Sequence, residues 1–450
     1  MRKSYLCLLI LVFMLSGIEQ GSAQKLTVSK DHRHLIFADG RPFFYLGDTA
    51  WELFHRLNRE EADLYLENRA AKGFTVIQAV VLAELDGLKT PNAYGEVPLT
   101  NLDPTRPNEK YFQQVDYIVN KAQSLGMFIG MLPTWGDKWN KQWGVGPEVF
   151  TPENAYVYGK FLGNRYKDEP IIWILGGDRN PADEEDMEIV RAMARGLAEG
   201  DGGNHLMTYH PMGGNSSSKF FHNDSWLSFD LFQSGHADRD LPNYKFTKAD
   251  RNLTPPKPTL DGEPRYEDHP VNWKPAENGW FYDDDIRQAA YWSMMAGACG
   301  HTYGNHNIWQ MWQEGRDPIS WARTNWRQAL DYPGAFQVGY MKQFFEKYPW
   351  QSMEPDQSLI LNENPKDGTY EEAMISSKKD LLFAYTPYGK PLKIDLDRLV
   401  PDKVNATWFN PRDGRFLPAG DLDTKGTHEF TPQSMGKGSD WVLVLKGIDH

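Results

Sequence analysis

The sequence predicts a (β/α)8 barrel followed by a small all-β sandwich, and three observations point there. Ile171-Ile172-Trp173-Ile174-Leu175 is an apolar run of strand length, and Gly176-Gly177-Asp178-Arg179-Asn180 follows at once. A strand buried on both faces that delivers polar groups past its carboxyl end is how such a barrel presents its site. Strand-like and helix-like runs alternate eight times over about 310 residues, the count for this architecture. After Tyr348-Pro349-Trp350 the texture changes to short strand-like runs separated by turn signals.

Residues 26–44 open with a hairpin signal, Asp39-Gly40 between Leu35-Ile36-Phe37 and Pro42-Phe43-Phe44. Residues 43–51 form the first barrel strand, with Asp48 and Trp51 at its polar tip. Asn58 caps a helix over 59–72 that Gly73 stops. Residues 74–83 are nearly all apolar and β-branched, a second buried strand ending at Glu84. A helix over 110–124 ends at Gly126, and a third strand over 127–134 leads into a loop holding Trp135, Asp137, Trp139 and Trp143. Thr151-Pro152 starts a helix running to 166, with Pro at its first position. The strand before Asp178 is the fourth, and 184–198 is its helix.

Residues 206–210 and 227–236 are the fifth and sixth strands; the helix after the sixth is weak, and 252–258 is proline-rich. Residues 259–263 are the seventh strand, 283–296 a helix, 301–306 the eighth strand and 324–347 a last helix. This assigns 24–350 to the barrel. Strands at 359–362, 373–376, 381–386, 392–394, 405–409 and 441–445 assign 355–450 to the sandwich.

The net charge of −13 over 450 residues offers no basic face for phosphates and argues against nucleic acid. With 16 Trp, 21 Tyr and 23 Phe the chain is rich in rings that can stack on sugar faces, although a large barrel core also uses them. Arg2 and Lys3, the apolar run 5–15 and Gly21-Ser22-Ala23 read as a secretory leader, 1–23, cleaved near Ala23. The run is too short to span a bilayer, so the mature protein is expected to be secreted or periplasmic, with no membrane span. Cys7 leaves with the leader, and Cys299, among small and apolar neighbours, reads as a packed thiol.

Hydrolysis of a glycosidic bond needs one carboxylic acid to protonate the leaving oxygen and a second carboxylate to attack the anomeric carbon or activate water. Asp178 and Glu263, at the ends of strands four and seven, meet that demand. Gly176, Gly177 and Gly262 beside them leave room for a substrate. Bland readings stand beside these: Asp178 as a helix cap or partner of Arg179, Glu263 as a loop carboxylate. Glu267 is the main rival for the second role. Asp48, Trp51, Glu84, Trp135, Asp137, His210, Gln233, His236, Tyr303, Asn305 and His306 are candidates to line the mouth and bind a ligand rich in hydroxyls. No metal motif, no Gly-x-Ser-x-Gly elbow and no phosphate-cradling glycine pattern occurs, and no cofactor is expected; Asp283-Asp284-Asp285 reads as a helix start.

The motifs Phe44-Tyr45-Leu46-Gly47-Asp48-Thr49-Ala50-Trp51, Leu175-Gly176-Gly177-Asp178-Arg179-Asn180, Leu260-Asp261-Gly262-Glu263-Pro264 and Gly300-His301-Thr302-Tyr303-Gly304-Asn305-His306 occur in that order. The chain thereby resembles apiosidase-like barrels, glycoside hydrolase family 140, over nearly its whole mature length. The resemblance implies a secreted bacterial enzyme that cleaves apiose linkages in side chains of the pectin rhamnogalacturonan II. It carries the acid/base role to Asp178 and the nucleophile role to Glu263, and makes a plant cell-wall polysaccharide or oligosaccharide the partner. Related barrels more commonly carry Asn-Glu at the fourth strand, where Gly177-Asp178 stands here. The rival readings are a glycosidase of the same architecture acting on another plant or microbial glycan, and a non-catalytic carbohydrate-binding protein.

Overall fold

A computed structural model describes residues 25–448, so the leader at 1–23 lies outside the described residues. The chain opens with β1 (Leu26–Val28) and β2 (Leu35–Phe37), paired antiparallel. The turn at Asp39-Gly40 returns the chain only as a single bridge, Ile36 to Pro42. Leu26, Leu35 and Phe43 pack with Phe128 and Ile172, so this hairpin plugs the amino-terminal end of the barrel. Cys299 lies in the same cluster, fully buried, and burial pushes its thiol up to about 12.

The barrel strands are β3 (Tyr45–Thr49), β4 (Val76–Leu82), β5 (Phe128–Thr134), β6 (Ile171–Gly176) and β7 (Met207–His210). A two-residue β8 (Asn215–Ser216) follows, then β9 (Asp230–Gln233), β10 (Thr259–Asp261) and β11 (Gly300–Tyr303). Their order is β7-β6-β5-β4-β3-β11-β10-β9, parallel throughout, with β8 antiparallel on β9. The ring closes just before β9: the Ser228 amide donates to the Met207 carbonyl at 2.8 Å and Thr208 Oγ1 donates to the Phe229 carbonyl at 2.7 Å. Inside, Gln78 Nε2 donates to Tyr45 Oη at 3.1 Å and to Thr302 Oγ1 at 3.0 Å, a polar layer within the largely apolar filling.

The helices expected after Asn58 and at Thr151-Pro152 start there. Asn58 and Glu61 form a capping box, Thr151 caps Pro152–Tyr166, and Asp183 caps Glu184–Asp201. The expected helix over 324–347 is two, Trp326–Ala329 and Pro333–Glu346, because Pro333 has no amide to continue the first. The helix after the sixth strand is Tyr244–Arg251. No helix among the described residues is long and apolar enough to cross a membrane.

The carboxyl-terminal region holds β12 (Met353–Pro355), β13 (Glu372–Ser376), β14 (Leu381–Thr386), β15 (Leu392–Asp395), β16 (Lys403–Phe409), β17 (Phe416–Asp423), β18 (Thr427–Phe430) and β19 (Trp441–Gly447). Six of them form an antiparallel sheet, β12-β13-β14-β19-β16-β17, and β15 pairs with β18. The expected strand at 359–362 is instead a turn over Gln357–Leu359 with one bridge, Ile360 to Ile394. One face of the six-stranded sheet builds its own core with Leu392, Ile394 and Phe430. The other face packs Phe383, Tyr385 and Phe409 on Phe344, Phe345 and Tyr291 of the barrel helices. A buried ion pair, Arg287 to Asp440 at 2.9 Å, and a Trp292 Nε1 bond to the Tyr370 carbonyl at 2.8 Å fasten the two together.

Candidate active site

A cavity of about 730 Å³ opens at the carboxyl end of the barrel strands, and Asp178 and Glu263 both line it. Asp178 arrives there because the backbone breaks the alternation of β6. Ile172 and Ile174 point inward, and Trp173 and Leu175 outward into the helices. Gly176 and Gly177 then adopt φ of 95° and 98°, which only glycine enters at low cost. A Cβ on Gly176 would meet the His210 carbonyl at 2.5 Å, and one on Gly177 would meet Gly136 N and Trp135 Cα at 2.9 Å. Asp178 itself sits at φ 54°, a strained region for a side-chain-bearing residue that is kept where the surroundings impose it.

The two carboxyl groups have opposite surroundings. Burial first, then the neighbouring Glu263 charge, pushes the Asp178 carboxyl up to about 7, against the weaker pull of His210, Arg179 and a hydrogen bond from Gln233. Arg179 Nη1 stands 3.5 Å from Asp178 Oδ2, while the guanidinium spends its other hydrogen bonds on the carbonyls of Asp178, Asn140 and Lys141. Asp178 caps no helix, and its side chain is 22 % exposed toward the cavity.

Glu263 is also buried, which works against its charge, but His210 and His236 outweigh burial and hold it down to about 2. His236 Nε2 donates to Oε1 at 3.1 Å. His210 Nδ1 accepts the Asp178 amide at 3.1 Å, so Nε2 carries the ring proton. That Nε2 stands 2.9 Å from Glu263 Oε2, off the line of an ideal hydrogen bond. One imidazole thus touches both acids, the backbone of one and the carboxylate of the other. Glu84 brings a third carboxyl to the cavity; burial and then the charges of Glu52, Asp178, Asp137 and Glu263 hold it well above the usual carboxylate range.

Of the residues expected at the mouth, Trp51, Glu84, Trp135, Gln233, His236 and His306 line the cavity. His210 lies just beneath, with Trp51 and Trp135 packed around its ring at 5.5 and 5.9 Å. Four expectations need correction. Asp48 and Tyr303 face away from the cavity: they are register partners on β3 and β11, and their parity turns them outward to the helices. Asp48 accepts from Tyr65 and Arg69 at 2.5 Å, and Tyr303 donates to Glu267 at 2.6 Å. Asp137 is fully buried under the following loop, pairing with Lys138 at 2.7 Å and accepting the Gly146 amide at 2.8 Å. Asn305 is buried and caps the helix His306–Trp309. Glu267, the rival to Glu263, also sits outside the cavity, holding Tyr303 and the Gly334 amide; burial raises it to about 7.

Tyr266, His269 and Trp273 add a wall that the sequence did not signal. They lie in irregular chain after β10, where no periodicity assigns a direction to a side chain. His269 stacks on His236 with ring centroids 4.3 Å apart and donates Nδ1–H to the Pro270 carbonyl at 2.7 Å. Burial, then the two neighbouring imidazoles, holds His269 well below its ordinary value.

Known proteins agree with this reading of the fold. The family described as "Apiosidase-like, catalytic domain" matches residues 29–352, and "Putative collagen-binding domain of a collagenase" matches residues 354–446. No curated protein matches the chain. Among solved structures, one named "Glycoside hydrolase" is 34 % identical with a TM-score of 0.87, over 94 % of this chain and 97 % of its own. A glycoside hydrolase family 5 structure from Bacteroides vulgatus ATCC 8482 is also 34 % identical with a TM-score of 0.87, over 94 % of this chain and 93 % of its own. The chain belongs to the apiosidase-like family of glycoside hydrolases.

Proposed function

We propose that the protein is a family 140 enzyme that cleaves apiose linkages in rhamnogalacturonan II side chains with retention, using Asp178 and Glu263. The two-carboxylate chemistry rests on Asp178 and Glu263 facing one cavity with opposite poise, one raised to about 7 and the other, held by His210 and His236, lowered to about 2, and the apiose substrate rests on the match to the apiosidase-like family. Environments that push two acids apart assign the acid and the nucleophile. Asp178 gives its proton to the leaving oxygen as the Glu263 carboxylate attacks the anomeric carbon, forming a glycosyl ester and releasing the alcohol. Asp178, now ionised, takes a proton from water; the oxygen of that water attacks the same carbon, and Glu263 leaves as carboxylate. His210 and His236 stabilise the charge on Glu263 before attack and after release. The substrate is a plant cell-wall glycan, reached outside the cytoplasm after removal of residues 1–23.

The test is incubation with rhamnogalacturonan II fragments, read by mass spectrometry, with Glu263→Gln as the blank. Fragments cut at apiose by the wild type and intact in the blank are expected. Cleavage of other oligosaccharides with those fragments untouched would replace the substrate. Saturable binding without product from any glycan would replace the activity with carbohydrate binding.

A further inference from the structure

Two tryptophans at the mouth of the cavity are far more open than the rings beneath them. Trp143 is 60 % and Trp273 45 % exposed, and both line the cavity, whereas Trp51 and Trp135 at its floor are buried. Trp143 comes from the loop after β5 and Trp273 from the loop after β10, strands that stand four places apart in a ring of eight. The two indoles therefore rise from opposite sides of the barrel.

Each is held in place. The Arg179 guanidinium carbon lies 4.0 Å from the centre of the Trp143 ring, covering one face. That guanidinium is buried and pinned to the carbonyls of Asn140 and Lys141 at 3.0 and 3.1 Å, so the loop and its ring are fixed on it. Trp273 and Asn272 both sit at φ 54°, a left-handed conformation rare for a bulky residue and kept where surroundings impose it. The Trp273 ring meets His236 and His269 edge-on, at 74° and 85°, and His236 is the residue that donates to Glu263.

We propose that Trp143 is the stacking platform for the sugar on the leaving-group side of the cleaved bond, and Trp273 the platform for a sugar on the opposite side, so that the cavity holds a chain across the bond. This rests on the two-carboxylate reading above. The acid must stand beside the leaving oxygen, and Trp143 lies on the residue next to that acid. The nucleophile attacks from the other face, and Trp273 leans on a histidine bound to it. An indole face is negative and suits the C–H face of a sugar ring.

Titration calorimetry of rhamnogalacturonan II oligosaccharides into the Glu263→Gln protein tests it. Adding Trp143→Ala should weaken binding roughly five- to tenfold, with Trp143→Phe keeping most of it. Trp273→Gly should weaken binding by a similar factor while holding or raising Tm, since glycine accepts the left-handed backbone. In the active enzyme, replacing the leaving-group sugar by a methyl group should lower kcat/KM for the wild type several-fold more than for Trp143→Ala, which a merely structural role would not produce. Undiminished binding after either tryptophan is replaced overturns the two-sided platform and leaves the functional reading standing. No binding by Glu263→Gln itself overturns both.

Discussion

Two pairs of strand ends carry similar chemistry and put it to opposite use. On β6 and the chain after β10, Asp178 and Glu263 enter the cavity. On β3 and β11, Asp48 and Tyr303 are turned out of the barrel, where Arg69 of the helix Arg59–Ala71 and Glu267 of the chain after β10 receive them. All four are polar groups at the carboxyl end of a parallel strand. The difference is the backbone: β3 and β11 keep their alternation to the last residue, whereas Gly176-Gly177 breaks that of β6 and Glu263 lies beyond the end of β10 at Asp261. A polar residue at a strand end therefore marks a site only where parity or a glycine break turns it inward.

That contrast can be broken most sharply by charge removal. Glu263→Gln should lower turnover by about 10⁴-fold and Asp178→Asn by about 10²- to 10⁴-fold, with circular dichroism unchanged. A first-formed product with retained anomeric configuration, read by NMR, is expected from the wild type. Asp48→Asn should do the reverse. It leaves Arg69 buried without its charge partner and should cost about 3 kcal/mol in denaturant unfolding, with kcat of the folded fraction near wild type. A turnover defect there as deep as that of Asp178→Asn would erase the distinction between the two sides.

Gly177→Ala tests the backbone break directly. Its Cβ has no room beside Gly136 and Trp135, so Asp178 should be displaced and kcat/KM should fall by about 10²-fold, with a smaller loss of stability. Glu267→Gln gives the smallest effect. Its two oxygens accept from Tyr303 and the Gly334 amide, so Gln keeps one bond and loses the other; stability should fall by about 1 to 2 kcal/mol and activity by about twofold at most. A large loss of turnover at Glu267 would reopen its rivalry with Glu263.

The barrel was legible in the sequence because its strands are buried on both faces and read as unbroken apolar runs, as at Val76–Leu82 and Ile171–Gly176. The catalytic candidates were legible because Gly176-Gly177-Asp178 and Gly262-Glu263 follow such runs. Direction was not: Asp48 and Tyr303 fall on the outward phase, and the fractional placement of a strand end cannot be read to one residue. β17 was missed because it is an edge strand with most of its side chains in solvent and no apolar alternation. Tyr266, His269 and Trp273 were missed because irregular chain carries no period to read. Asp137 sits where the loop after β5 folds back on itself, and only the Gly146 contact reveals it as a brace.

The mechanism requires one acid in the cavity to be protonated where the other is charged. Its most direct test is the pH dependence of kcat/KM. Glu263 must be ionised and Asp178 protonated, so activity should hold across the acid range and fall as pH rises through about 7, with the acid limb only near 2. In Asp178→Asn, assayed on a substrate whose leaving group needs no protonation, the limb near 7 should vanish. A limb that persists unchanged in that variant, or a wild type that gains activity above 7, would contradict the assignment of Asp178 as the acid.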